Sequence, residues 1–208
     1  IYAMFTHFNA RSLEKMGRLA EALEAYEIAR NYGLKRNYYI GYFHSCIGIT
    51  QVLLRQGQLI KARQECERVL DFILEKKLES AIYNMALSIQ LEIALQLNNM
   101  ADSDRLAEVV LANFENTISS ESVLYNHVER CVYLTNYLIR KNDLKNARLY
   151  FERALSCHRD YSFPGAALPE TIIDTYIRLI RAEARLAEVK DWYPNAIEFL
   201  DQTNLNTT

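Results

Sequence analysis

Residues 57–62 read GQLIKA, and the same pattern stands at 17–22 as GRLAEA and at 142–147 as NDLKNA. In each, glycine or asparagine is followed two places on by leucine and three further by alanine. Both opening residues tolerate left-handed backbone, the conformation in which many helices end. A weaker copy has Asn98, Met100 and Ser103, and a still weaker one is centred on Asp191. The five turns are 40, 41, 44 and 49 residues apart. Before Gly57, Ile40, Phe43, Ile47, Leu53 and Leu54 fall mostly on one side of a helix. After it, Leu59, Ala62, Cys66, Val69 and Leu70 recur at spacings of three and four. Each unit is therefore a helical hairpin. The pattern predicts an all-α chain, a right-handed α-α superhelix of about five hairpins in one domain spanning 1–208. The units are about 1–36, 37–77, 78–118, 119–160 and 168–202, the last incomplete.

Composition agrees. Half of the 208 residues are hydrophobic, while 6 Gly and 3 Pro are too few to punctuate a many-stranded β protein. The formal net charge of −2 does not advertise a nucleic-acid or membrane surface. The most basic window, IRKNDLKNAR (139–148), reads as a solvated interhelical turn. No apolar run approaches the ~20 residues of a membrane helix, and no signal peptide is visible. Cys46, Cys66, Cys131 and Cys157 form no CxxC pair. Reduced thiols and a cytoplasmic location are expected.

The recurring residues form a packing code. Leu19, Leu59, Met100 and Leu144 plug the closed ends of the hairpins. Ala22, Ala62, Ser103 and Ala147 sit where paired helices approach too closely for a larger side chain. Four residues on come Tyr26, Cys66, Ala107 and Phe151, and three further Ala29, Val69, Val110 and Ala154.

That spacing resembles the tetratricopeptide motif, A-x₃-F-x₂-A after a small turn residue. AEALEAYEIA (20–29) and KNARLYFERA (145–154) match it well, KARQECERVL (61–70) moderately. The first-helix signature of Trp, Leu-Gly and Tyr is replaced by Cys46, Ile49, Thr50 and Leu53. Longer units with endings such as Ala29–Gly33 resemble the superhelical effector domain of MalT-like, LuxR-type transcriptional activators and the Rap- and PlcR-type peptide-pheromone receptors. RQGQLIKARQECERVLD (55–71), LIRKNDLKNARLYFERAL (138–155) and the loop YSFPGAALPE (161–170) look most like the activators. The resemblance implies a non-catalytic sensing or protein-interaction domain, either the effector-binding or the oligomerisation part of such a regulator. The alternative is a free-standing adaptor or pheromone-type receptor that binds a peptide. The activators' ATPase and helix-turn-helix modules have no counterpart in these residues; no G-x-x-x-x-G-K-[ST] loop occurs. Direct nucleic-acid binding by this segment is not expected.

In tetratricopeptide folds the residues facing the concave groove lie at set distances before the turn. Counting back gives His7, Arg11 and Lys15; His44, Gln51 and Arg55; Ser88, Glu92 and Gln96; and Glu129, Asn136 and Arg140. The resemblance makes His44 to Arg140 of that series the candidate groove for a protein, peptide or small-molecule effector. A carboxylate clamp of the chaperone-binding type is not expected, because His7, Arg11, Gly48, Met85 and Ile89 occupy its places.

No residues read as a catalytic set, a cofactor site or a metal site. His127 and Cys131 share a helix face, but Cys131 falls on a packing position and reads as a small hydrophobe. The 14 tyrosines, including Tyr38, Tyr39, Tyr42, Tyr125, Tyr133 and Tyr137, read as fillers of interhelical gaps, with a stacking surface for a sugar or peptide as the other reading. Ile1, Met4, Phe5 and Phe8 form an apolar first edge. That edge is expected to be covered by preceding repeats of a longer protein or by a second copy, giving a homo-oligomer.

Overall fold

A computed structural model of the chain describes residues 2–77, 80–115, 124–160 and 169–183. Among these residues all regular structure is helical: α1 (Tyr2–Lys15), α2 (Leu19–Lys35), α3 (Tyr39–Arg55), α4 (Leu59–Lys76), α5 (Ser80–Gln96), α6 (Met100–Glu115), α7 (Leu124–Arg140), α8 (Leu144–Asp160) and α9 (Pro169–Ala182). The chain is an all-α helical repeat. It divides into two compact units, Ile1–Leu106 and Ala107–Thr208, with the boundary inside α6. In the first, α1 packs on α2, α2 on α3, α3 on α4 and α4 on α5; α1 also touches α3, and α3 touches α5. The first helices of the hairpins are thus neighbours. In the second, α7 packs on α8, and α9 lies against both. The turn expected at Asp191 and most of the 161–170 loop lie outside the described residues.

The turns are made as the repeated stretch demands. Gly17, Gly57, Asn98 and Asn142 all have left-handed backbone, with φ of 74°, 70°, 56° and 59°. Beside each, the turn residue's N–H donates three residues back and the next N–H donates five back. Gly57 N donates to Leu54 O at 2.9 Å, and Gln58 N to Leu53 O at 2.9 Å. Carbonyls that the helix end would leave without partners are thereby satisfied. The next helix starts at once. Asn99 and Asp143 cap it, their Oδ1 atoms accepting from Asp102 N and Asn146 N, each at 3.2 Å. Sequence reading did not single out Asn37 (φ 54°) and Lys77 (φ 52°), which turn the chain between hairpins.

The packing code holds at every position. Ala22, Ala62, Ser103 and Ala147 are each 0% exposed. Tyr26, Cys66, Ala107 and Phe151 are buried, as are Ala29, Val69, Val110 and Ala154. Leu19, Leu59, Met100 and Leu144 are half-buried at the hairpin ends. Helix α3 departs from the simple amphipathic pattern. Ile40 is exposed, while Ser45, Gly48 and Thr50 are buried, because α2, α4, α1 and α5 all press on it. Two glycines permit this. A Cβ on Gly33 would stand 2.8 Å from Tyr42 N, and one on Gly48 would stand 2.4 Å from the Tyr26 ring.

The tyrosines of α3 fill space between helices. Phe72 of α4 is ringed by Tyr39, Tyr42 and Phe43, with centroids 5.6, 5.1 and 5.7 Å away. In the second unit Tyr176 of α9 stacks on Phe151 of α8 at 5.2 Å. Arg148 Nε donates to Glu183 Oε1 at 2.9 Å, joining α8 to the residue after α9.

Candidate functional site

In the first unit the groove candidates lie on α3 and α5. His44, Arg55 and Gln96 are exposed and Gln51 is half-buried. Ser88 and Glu92 are buried, at 3% and 8% exposure. Ser88 Oγ donates to Asn84 O at 2.7 Å, and Gln96 Nε2 donates to Glu92 Oε1 at 2.8 Å. In the second unit Arg140 of α7 is exposed and Glu129 half-buried, whereas Asn136 is buried. Solvent therefore meets only part of the polar series. Ser88, Glu92 and Asn136 are interior polar residues, and α5 is apolar enough around them to bury both of its own.

Next to these positions lies a group of titratable residues joining α1, α2 and α3. Glu14 is buried; Tyr26 Oη donates to its Oε2 at 2.9 Å, and Arg55 Nε stands 3.5 Å from its Oε1. Arg55 Nη1 also donates to Glu14 O at 3.3 Å. The His7 ring lies 5.4 Å from that of Tyr26 and 5.8 Å from that of His44. Burial, His44 and Arg11 together hold the His7 imidazole down at about 4, so it is neutral at pH 7. His44 keeps contact with solvent, but loss of water from around its ring and the nearby Arg11 also lower its pKa. Burial and Arg11 lower that of Lys15. A second ion pair, Arg30 Nη1 to Glu65 Oε1 at 2.8 Å, links α2 to α4.

Sequence reading missed both carboxylate centres. Glu14 is one residue from Lys15, which the groove count reached, yet its partners are 12 and 41 residues away. Arg130 was missed too: it is 1% exposed, and burial lowers its pKa. With Arg153 it depresses His127, after burial of that ring.

Of the cysteines, Cys46, Cys66 and Cys131 are buried and unbridged, and burial pushes their thiols up to about 12. Such thiols are poor nucleophiles and poor metal ligands at neutral pH. Among the described residues no three His, Cys, Asp or Glu are grouped to hold a metal ion. Nor is any helix there long and apolar enough to cross a membrane.

No protein family matches the chain. No curated protein matches it either. Solved structures do. A kinesin-light-chain-like protein of Podosopora anserina, built from nearly identical TPR-like repeats, superposes with a TM-score of 0.56 at 18% identity, covering 97% of this chain and 93% of its own. A variant of that protein carrying one substitution gives 0.56 and 18% identity, covering 97% and 92%. At this identity the likeness shows the fold alone, a TPR-like helical repeat.

Proposed function

We propose that this chain is a non-catalytic TPR-like sensing or protein-interaction domain that receives its ligand on the first-helix face of its hairpins. The observation that carries this reading is the division of labour along the repeat. The second helices spend their recurring residues on packing, while α1 and α3 bring Arg11, Lys15, His44, Gln51 and Arg55 to one accessible side. Polar groups on a rigid helical surface orient a ligand without chemistry. In the finer reading the chain is the effector-binding or oligomerisation part of a MalT-like, LuxR-type regulator. What supports it is the forty-residue unit and the resemblance of 55–71 and 138–155. The alternative is a free-standing adaptor or pheromone-type receptor domain that binds a peptide, a reading equally compatible with the TPR-like fold of the similar solved structures.

Thermal-shift screening of sugars, nucleotides and a peptide library tests the reading, since a native-state ligand raises Tm. A hit weakened by Lys15→Ala and Gln51→Ala but not by Arg68→Ala, on the second helix α4, supports it. A hit lost only in Arg68→Ala overturns the assignment of the face. A neighbouring ATPase or helix-turn-helix module in the full-length gene product would favour the regulator over the adaptor.

A further inference from the structure

A cleft lies at the joint between the second hairpin, α3–α4, and the third, α5–α6, and all the residues that line it belong to the first unit. It encloses about 60 Å³ and opens to solvent. That is room for about four to six groups the size of a water molecule. Its floor is apolar, made by Ile93 and Ala94 of α5 and by Leu97 just beyond that helix.

Its rim is charged in both senses. Arg63 and Glu67 come from α4, four residues apart, and Asp102 and Arg105 from α6, three apart, so each pair shares one side of its helix. Arg63 Nε donates to Glu67 Oε1 at 2.8 Å. The other two contacts are looser: Arg63 Nη2 stands 3.6 Å from Asp102 Oδ2, and Arg105 Nη2 stands 3.7 Å from Asp102 Oδ1. Both exceed hydrogen-bond distance. A guanidinium carries five N–H donors, so both arginines keep donors for a further acceptor. Two positive and two negative groups cancel, and a ligand of either net charge would leave one pair unmatched. A zwitterion matches both.

We infer that this cleft binds a free α-amino acid with a short apolar side chain. Its carboxylate accepts from Arg63 and Arg105, its ammonium donates to Glu67 and Asp102, and its side chain rests on Ile93, Ala94 and Leu97. A residue inside a peptide offers neither charge and a chain end only one, so the free monomer fits where a peptide does not. The ligand touches α4, α5 and α6 together, tying one hairpin to the next. None of the four charged residues lies on a first helix, so this site is separate from the face proposed above.

Thermal shift of the whole 208-residue chain with alanine and valine tests the inference. Tm should rise at millimolar amino acid. Valinamide, which lacks the carboxylate, and N-acetylvaline, which lacks the ammonium, should give no such rise. Arg105→Gln and Glu67→Gln should each weaken the apparent affinity roughly tenfold, as expected for loss of a hydrogen bond to a charged group. Both residues stand in exposed pairs that contribute little to stability, so these variants keep the fold. Lys61→Gln on α4 and Lys15→Ala on α1, outside the cleft, should leave the response unchanged. A Tm that responds to neither amino acid overturns the inference. So does an equal rise in Arg105→Gln, which is what a general solute effect gives. An equal response to valinamide or to glucose overturns it too, because the cleft then selects no zwitterion.

Discussion

The ring of Tyr26 occupies the space into which a side chain at Gly48 would project. A Cβ at that glycine would come within 2.4 Å of Tyr26 Cε1 and Cζ. Helices α2 and α3 therefore meet through one large and one absent side chain. Gly48→Ala should destabilise the chain by about 1–3 kcal/mol through overpacking, although alanine favours helix. Tyr26→Leu in the same background should recover part of the loss. Denaturant melts of the two single variants and the double measure the coupling.

The fully buried alanines set a second test. Ala62→Leu and Ala147→Leu should each cost about 1–3 kcal/mol, because the paired helices leave no room for a larger side chain. Glu67→Gln, which gives up only the exposed pair with Arg63, should stay within ~0.5 kcal/mol. Chemical denaturation with alanine variants indistinguishable from the parent would refute the register.

The left-handed turns predict opposite signs for opposite substitutions. Gly57→Ala meets no neighbouring atom within 4 Å, so its penalty is purely conformational, about 1 kcal/mol. Lys77→Gly removes such a penalty and should stabilise by about 0.5–1 kcal/mol. Paired melts check both, and a Lys77→Gly variant less stable than the parent would contradict the backbone assignment.

Acid should weaken the fold. All four histidines are held below their usual value, His7 most plainly, from 6.5 to about 4. Between those values the unfolded chain binds a proton at His7 and the folded chain does not, so folding stability falls as pH drops from 6.5 towards 4. His7→Gln should flatten that slope relative to the parent. Tm measured across the interval decides it; an unchanged slope would remove His7 as a source.

How much of this was legible in sequence depended on whether a residue's identity carried its reason. Gly17 and Asn142 announce left-handed backbone by chemistry, and Ala62 announces a close approach by size. Lys77 takes the same backbone as Gly57, but lysine gives no such signal, so that turn went unread. At the candidate site, polarity was legible and burial was not. Ser88 turns its hydroxyl back onto Asn84 O four residues earlier, satisfying it inside the helix and letting the residue face the interior. Nothing in the local sequence marks Glu14 for burial. Its burial follows from Tyr26 and Arg55, whose closeness is a product of the fold.

The even spacing of the left-handed turns, at residues 17, 37, 57, 77 and 98, governs how the chain reaches its native state. Each turn closes a loop of little more than two helix lengths, so little entropy is lost before adjacent helices begin to pack. Contacts that form between sequence neighbours can nucleate at any hairpin and spread to the next. Low contact order of this kind belongs to chains that fold in microseconds to milliseconds.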